Sequence, residues 1–152
     1  MAASPPAEFT APHVLEYPYR RSVGPVMGRF FAGLREGRIL GARAGDGRVL
    51  VPPPEFDPGT SAPLGDLVPV ADAGVVVSWA WVHAPKRMHP FDRPFGWALV
   101  RLDGADTPML HAVDAPGESA LRTGMRVRAR WRAERVGEMR DIEAFVPEEG
   151  SR

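Results

Sequence analysis

From position 125 the chain alternates without a slip, with Met125, Val127, Ala129 and Trp131 on one side and Arg126, Arg128, Arg130 and Arg132 on the other. A two-residue period marks a strand with one face on a core. Gly74 to His83 is the longest apolar run, rich in β-branched and aromatic residues; it predicts a strand with Val75, Val77, Trp79 and Trp81 on one face and most of both faces covered. Phe95 to Leu102 is a second strand, ended by the turn dipeptide Asp103-Gly104, and Met109 to Val113 and Ile142 to Val146 complete five. Leu67 to Val70 reads as a short edge or linker that tolerates its proline. Five strands, with a turn-rich connection around Pro116 to Gly124 between the third and fourth, fit an OB-fold, a partly open Greek-key barrel. Another small β-barrel would share the pattern.

A helical period occurs once. Met27, Phe30, Phe31 and Leu34 form one apolar stripe, and Arg29, Arg35 and Glu36 lie off it. Ser22 is the expected N-cap, Pro25 suits the first turn, and Gly37 stands where a left-handed cap is wanted. Gly28 and Gly33 cost about 1 kcal/mol each against alanine, so this short helix needs packing, on its own barrel or on another protein. Next, Ile39 and Leu40 lead into the turn Ala44-Gly45-Asp46-Gly47, Arg48 to Val51 returns, and three prolines stop the ladder. Asp57-Pro58-Gly59-Thr60 repeats the turn. Two tight turns about a dozen residues apart outline a zinc ribbon, in which each tip would carry paired cysteines.

The helix, the run Gly37-Arg38-Ile39-Leu40-Gly41-Ala42-Arg43, the ribbon, the run Gly47-Arg48-Val49-Leu50-Val51-Pro52-Pro53 followed by Phe56, and the barrel come in a telling order. From Tyr19 to Pro147 the chain resembles the zinc-ribbon and OB-fold family associated with acyl-CoA enzymes, formerly a domain of unknown function. In that family cysteines precede the Gly47-Arg48 pair and follow Phe56. Here the four positions are Arg43, Asp46, Asp57 and Thr60, and the chain has no cysteine. Arginine cannot ligate a cation and threonine ligates zinc poorly, which leaves two carboxylates where tetrahedral zinc takes four N or S donors. No zinc is expected; Arg43, Asp46 and Asp57 are expected to close the ribbon by charge-assisted hydrogen bonds. The predicted architecture is mostly β: a mobile tail over 1–18, an amphipathic helix over 19–37, a degenerate, metal-free, rubredoxin-like ribbon over 38–66, a five-stranded OB-fold over 67–147 and a tail over 148–152. Val14, Leu15, Tyr17 and Tyr19 are expected to strap the first tail to the body.

A chain of 152 residues holds one modest core. It shows neither a membrane-length apolar run nor the basic and apolar start of a secretory signal, so the cytoplasm is the expected location. Without cysteine there is no disulfide, redox pair or thiolate nucleophile. Lys plus Arg balance Asp plus Glu at 19 each, which counts against general nucleic-acid binding.

Two constellations invite chemistry. The four arginines of the fourth strand would hold phosphates, unless outward acids (Asp141 and Glu143, with Glu134 and Glu138 near the hairpin) neutralise them. The loop from Ala84 to Pro94 carries Lys86, Arg87, His89, Phe91 and Arg93, cations beside an aromatic ring that suit the adenosine and phosphates of coenzyme A; an exposed proline-rich loop is the plainer reading. No nucleophile turn, HExxH or GxGxxG is present, so no catalytic residue is assigned. The resemblance implies a non-catalytic accessory subunit paired with a thiolase-like enzyme of the lipid-transfer or sterol-carrier type. Such partners include thiolases and retro-aldolases acting on acyl-CoA, among them those degrading steroid side chains, with a coenzyme A thioester at a shared site and no covalently bound cofactor. Met27, Phe30, Phe31, Leu34, Trp79 and Trp97 are the expected partner face. Alternatives are single-stranded nucleic-acid binding, with tryptophans stacking bases, and an enzyme acting on a thioester through His89 or His111.

Overall fold

A computed structural model describes residues 11–18 and 22–148. The remainder of both predicted tails, with Tyr19, lies outside those residues. Between 11 and 18 every residue is exposed, and Val14, Leu15 and Tyr17 do not strap the chain to its body: each is at least two-thirds in solvent.

Helix α1 spans Pro25–Arg35 and ends at Gly37, whose φ of 73° is the left-handed conformation the sequence requested. Its start differs from expectation. Ser22 lies outside the helix and Gly24 is the N-cap, with no side-chain cap of its own. The carboxylate of Glu55 instead accepts the N–H of Val26 (3.0 Å) and of Met27 (3.0 Å). These are two of the donors a helix start leaves unpaired, and the negative charge also suits the helix dipole. A Cβ on Gly24 would overlap that carboxylate, so glycine at the N-cap is what lets Glu55 approach.

The ribbon follows as β1 (Ile39–Arg43), β2 (Val49–Leu50) and β3 (Leu67–Val70), a three-stranded sheet with β1 central. The Leu67 segment therefore pairs with the ribbon rather than with the barrel: Ile39 opposes Val70 and Ala42 opposes Leu67. Ala42, Ala44, Leu50 and Leu64 form a small apolar core between the hairpins. Asp106 and Thr107 tie β2 to the barrel. The Val49 N–H donates to the Asp106 carboxylate at 2.8 Å, and the Val51 N–H donates to the Thr107 hydroxyl at 2.8 Å.

The barrel contains β4 (Ala73–Val82), β5 (Phe95–Leu102), β6 (Met109–Val113), β7 (Arg126–Trp131) and β8 (Ile142–Pro147), closed in the order β4-β5-β6-β8-β7. All neighbours are antiparallel except β6 and β8, which meet in parallel at Val113 and Phe145. This is the five-stranded Greek-key barrel expected from the sequence. Val76, Val100, Met109, Val127 and Phe145 fill it, and Phe30 and Leu34 of α1 enter the same core.

One strand departs from its predicted facing. A bulge between Val76 and Ser78 shifts the register, so Val76 points inward before it and Trp79 and Trp81 pack on the core after it. Val77 is left 40% exposed, with Ser78 and Ala80 in solvent; the strand does not bury both faces. Among the described residues no helix is long and apolar enough to cross a membrane.

Candidate functional site: the outer face of β4-β5-β6 and its flanking loops

Strand parity sets the outer face. Along β5, Phe95, Gly96, Ala98, Val100 and Leu102 are buried, which puts Trp97, Leu99 and Arg101 outward. The register carries this face across the sheet, with Ser78 opposite Leu99, Leu99 opposite Leu110, and Trp97 opposite Ala112. Leu110 is 59% and Leu99 37% exposed, and Met88 at the tip of the β4–β5 loop is 84% exposed. Aliphatic side chains in solvent at adjoining positions of two strands make an uncovered apolar patch.

Beside this patch the β7–β8 loop (132–141) is held rigidly by Asp141. Its carboxylate is buried and accepts the N–H groups of Val136 (2.9 Å), Gly137 (2.7 Å) and Glu138 (3.1 Å). Burial pushes this carboxyl up, but the three donors outweigh it and hold it below the ordinary carboxylate range. Asp141 was expected to face outward and neutralise arginines; three inward backbone donors explain why it does not. His111 anchors the loop's end to β6. Its Nε2 lies 3.2 Å from the Met139 carbonyl oxygen and its ring meets Phe145 edge to face. Burial pushes its pKa down, which favours the neutral ring, and its Nδ1 lies 3.4 Å from the Ala112 carbonyl oxygen.

Between these parts opens a cavity of about 320 Å³, lined by Met88, Trp97, Leu110, Met139 and Ile142 with His111 at its wall and Arg132 and Arg140 at its rim.

The arginine stripe of β7 is present but spent. Arg126 holds Asp103 through two bonds of 2.7 Å and also reaches Glu148; Arg128 reaches Asp72 at 2.6 Å and Glu148 at 2.9 Å. Glu148, expected in the C-terminal tail, thus belongs to the barrel's surface. Arg130 pairs with Glu143 at 2.6 Å and Asp114 at 2.8 Å. Of the acids expected to do this, only Glu143 does. Arg132, past the strand's end, pairs with none of the described residues.

The β4–β5 loop gathers Lys86, Arg87, His89 and Phe91 around a groove of about 410 Å³. Two of these are partly committed. The Lys86 N–H donates to His89 Nδ1 at 3.1 Å, and the His89 and Phe91 rings both stack edgewise on Phe95. Arg93 faces elsewhere. It forks onto Asp114 at 2.6 and 2.8 Å and lies 4.9 Å over the Phe91 ring. Arg93 is the main cause holding the Asp114 carboxyl below its ordinary range.

The expected partner face is divided by the fold. Phe30 and Leu34 are wholly inside the chain's own core, so no partner can touch them; Met27 and Phe31 are half-buried against it. Trp79 packs inward after the bulge, whereas Trp97 lies on the outer patch. Leu99, Leu110, Met88 and Arg140 were missed. The signal was available for Leu99 in the parity of β5, where a leucine occupies an outward position.

At the ribbon tips Arg43, Asp46, Asp57 and Thr60 do line one hollow, but not as the network expected. Asp46 pairs with Arg48 at 2.6 Å, Arg43 approaches Asp66 at 3.6 Å, and Asp57 caps its own turn through the N–H groups of Gly59 and Thr60. The two aspartates take partners two or three residues away in their own turns, and Arg43 meets Asp66 across the β1–β3 pairing. The zinc of related ribbons does not fit this donor set: one position is a cation, one carboxylate is ion-paired, and the other is turned to backbone N–H groups.

Comparison with known proteins agrees with the fold. Residues 67–132 match the family described as ChsH2, C-terminal OB-fold domain. No curated protein matches. A structure described as "Ltp2-ChsH2(DUF35) aldolase" superposes with a TM-score of 0.62 at 22% identity, over 84% of this chain and 98% of that one. A DUF35-family protein of unknown function from Sulfolobus solfataricus superposes with a TM-score of 0.56, also at 22% identity, over 70% of this chain and 77% of that one. Over residues 67–132 the barrel is thus similar to the ChsH2 C-terminal OB-fold domain, and the chain lacks the ribbon cysteines of the family it resembles.

Proposed function

We propose that the chain is a non-catalytic accessory subunit that docks on a thiolase-like enzyme of the lipid-transfer type and helps to form a site for acyl-CoA. The observation that carries this reading is the uncovered patch of Trp97, Leu99, Leu110 and Met88 on a barrel whose fold is shared with a chain of the Ltp2-ChsH2(DUF35) aldolase. The disposition of the titratable groups supports it. His111 braces a loop, Asp141 caps one, and Asp114 is locked between two arginines, so these groups serve structure rather than proton transfer. The partner then supplies the reacting groups, and Lys86 and Arg87 of the β4–β5 loop provide cations for phosphates at the shared boundary. Single-stranded nucleic-acid binding fits less well, because the β7 arginines that would follow a phosphate backbone are paired with carboxylates.

Co-expression with a thiolase-like enzyme of the lipid-transfer type should give one stoichiometric complex by light scattering. Leu99→Glu with Leu110→Glu should abolish that complex while leaving the melting temperature within about 2 °C, because both side chains are solvent-facing. A complex that survives the double change places the interface elsewhere; no complex with the wild type ends the scaffold reading.

A further inference from the structure

We propose that the cavity between the β4–β5 and β7–β8 loops binds a small apolar carboxylate, an aliphatic or aromatic acid whose body lies against Trp97, Leu110, Met139 and Ile142 and whose anionic end meets Arg132 and Arg140. Three observations lead there. The cavity, about 320 Å³, falls within the range of small-molecule sites and is short for an extended polypeptide. Its lining is apolar apart from a few convergent groups, the arrangement that orients a ligand with one polar end. The third observation is charge. Every arginine of β7 itself has a carboxylate partner, but Arg132 and Arg140, at the rim, pair with none among the described residues.

The acid that shares the lining does not answer these two cations. Glu143 is bound by Arg130 at 2.6 Å, and Arg130 is bound in turn by Asp114. An incoming carboxylate therefore meets two guanidinium groups that no carboxylate among the described residues occupies, and guanidinium groups bind planar oxyanions in a forked geometry. The walls are preformed. Asp141 fixes the turn that carries Met139 and Arg140, and His111 ties Met139 to β6, so binding orders little that is not already ordered.

The site differs from the loop groove of Lys86 and Arg87, and the inference does not rest on docking to an enzyme. A complex with an indifferent cavity, or a liganded cavity without a complex, would separate the two.

The test is titration of the full chain by heteronuclear NMR with octanoate, octan-1-ol and coenzyme A, read at the Trp97 indole N–H. Octanoate should shift that signal saturably and bind at least about ten-fold tighter than octan-1-ol. Arg132→Ala with Arg140→Ala should remove the preference for the acid while the melting curve stays in place. Equal binding of acid and alcohol, no saturable shift with octanoate, a preference that survives the double change, or matching shifts with coenzyme A alone would each overturn it.

Discussion

Replacing Asp141 tests how the β7–β8 loop keeps its shape. The carboxylate is 1% exposed and serves three backbone donors, those of Val136, Gly137 and Glu138. A buried donor left without an acceptor costs about 1–3 kcal/mol, and bonds to a charged acceptor lie toward the upper end. Those three values should not be summed at their maximum. Val136 is 62% exposed and Glu138 also faces solvent, so water can reach their amides once the carboxylate is gone. Taking the lower figure for each donor gives about 3 kcal/mol for Asp141→Ala. In a chain of this size that corresponds to a fall in melting temperature of about 6–12 °C. Asp141→Asn keeps one acceptor oxygen but turns an amide NH₂ toward N–H groups, so its loss should be smaller and still measurable. Circular dichroism melts give the totals, and hydrogen exchange shows whether protection disappears first from residues 132–141. If alanine lowers the melting temperature by less than about 2 °C, the carboxylate is not what holds the loop.

Glu55→Gln should lose about 1 kcal/mol by thermal melt, because a neutral amide still accepts from Val26 or Met27 but no longer complements the helix dipole; equal melts would show that the charge is idle. Phe30→Ala should cost about 3–5 kcal/mol in denaturant unfolding, since the ring is fully inside the core; a folded, stable variant would mean that the helix is not part of that core. Excess chelator, or added zinc, should leave the melting temperature unchanged, because Asp46 and Asp57 are already committed to Arg48 and to backbone N–H groups; a shift with zinc would refute that arrangement. Burial holds the His111 pKa down, so below about pH 6.5 the unfolded chain takes up a proton that the folded chain refuses. Stability should therefore fall as pH falls through that window, more steeply than in His111→Gln; parallel curves would acquit the histidine.

How much of this was legible in the sequence depends on how far apart the partners lie. Strand β7 was readable because it alternates along its own length, β5 because the dipeptide Asp103-Gly104 ends its apolar run, and the turn at Gly37 because one residue type signals it. The bulge at Val77 was not readable: three consecutive valines carry no phase, so nothing local tells which of them leaves the ladder. The β7 arginines could be placed on a face but not paired, since Asp72, Asp103 and Glu148 reach them only through barrel closure, from 56, 23 and 22 positions away. The cap on α1 had the same defect, with Glu55 acting across 29 positions. A helical stripe likewise says that one side wants cover without saying whose, and Phe30 and Leu34 found it inside their own chain.

The outer patch was half legible, because parity sets Phe95, Trp97, Leu99 and Arg101 on one face of β5 and burial then shows that Leu99 and Arg101 lie in solvent while Phe95 is covered. In a closed barrel the inward positions of a strand satisfy the core, so a large apolar residue at an outward position is unexplained by folding. Along Phe95–Leu102 the inward positions are Gly96, Ala98, Val100 and Leu102, while Trp97 and Leu99 stand outward beside Arg101. Folding places no demand on those two for core packing, yet both are apolar, and register sets Leu110 of the next strand directly beside Leu99. An isolated leucine there would be ordinary. Two strands agreeing on it, next to a cavity rimmed by two arginines, is what a binding face requires and a solvated one does not.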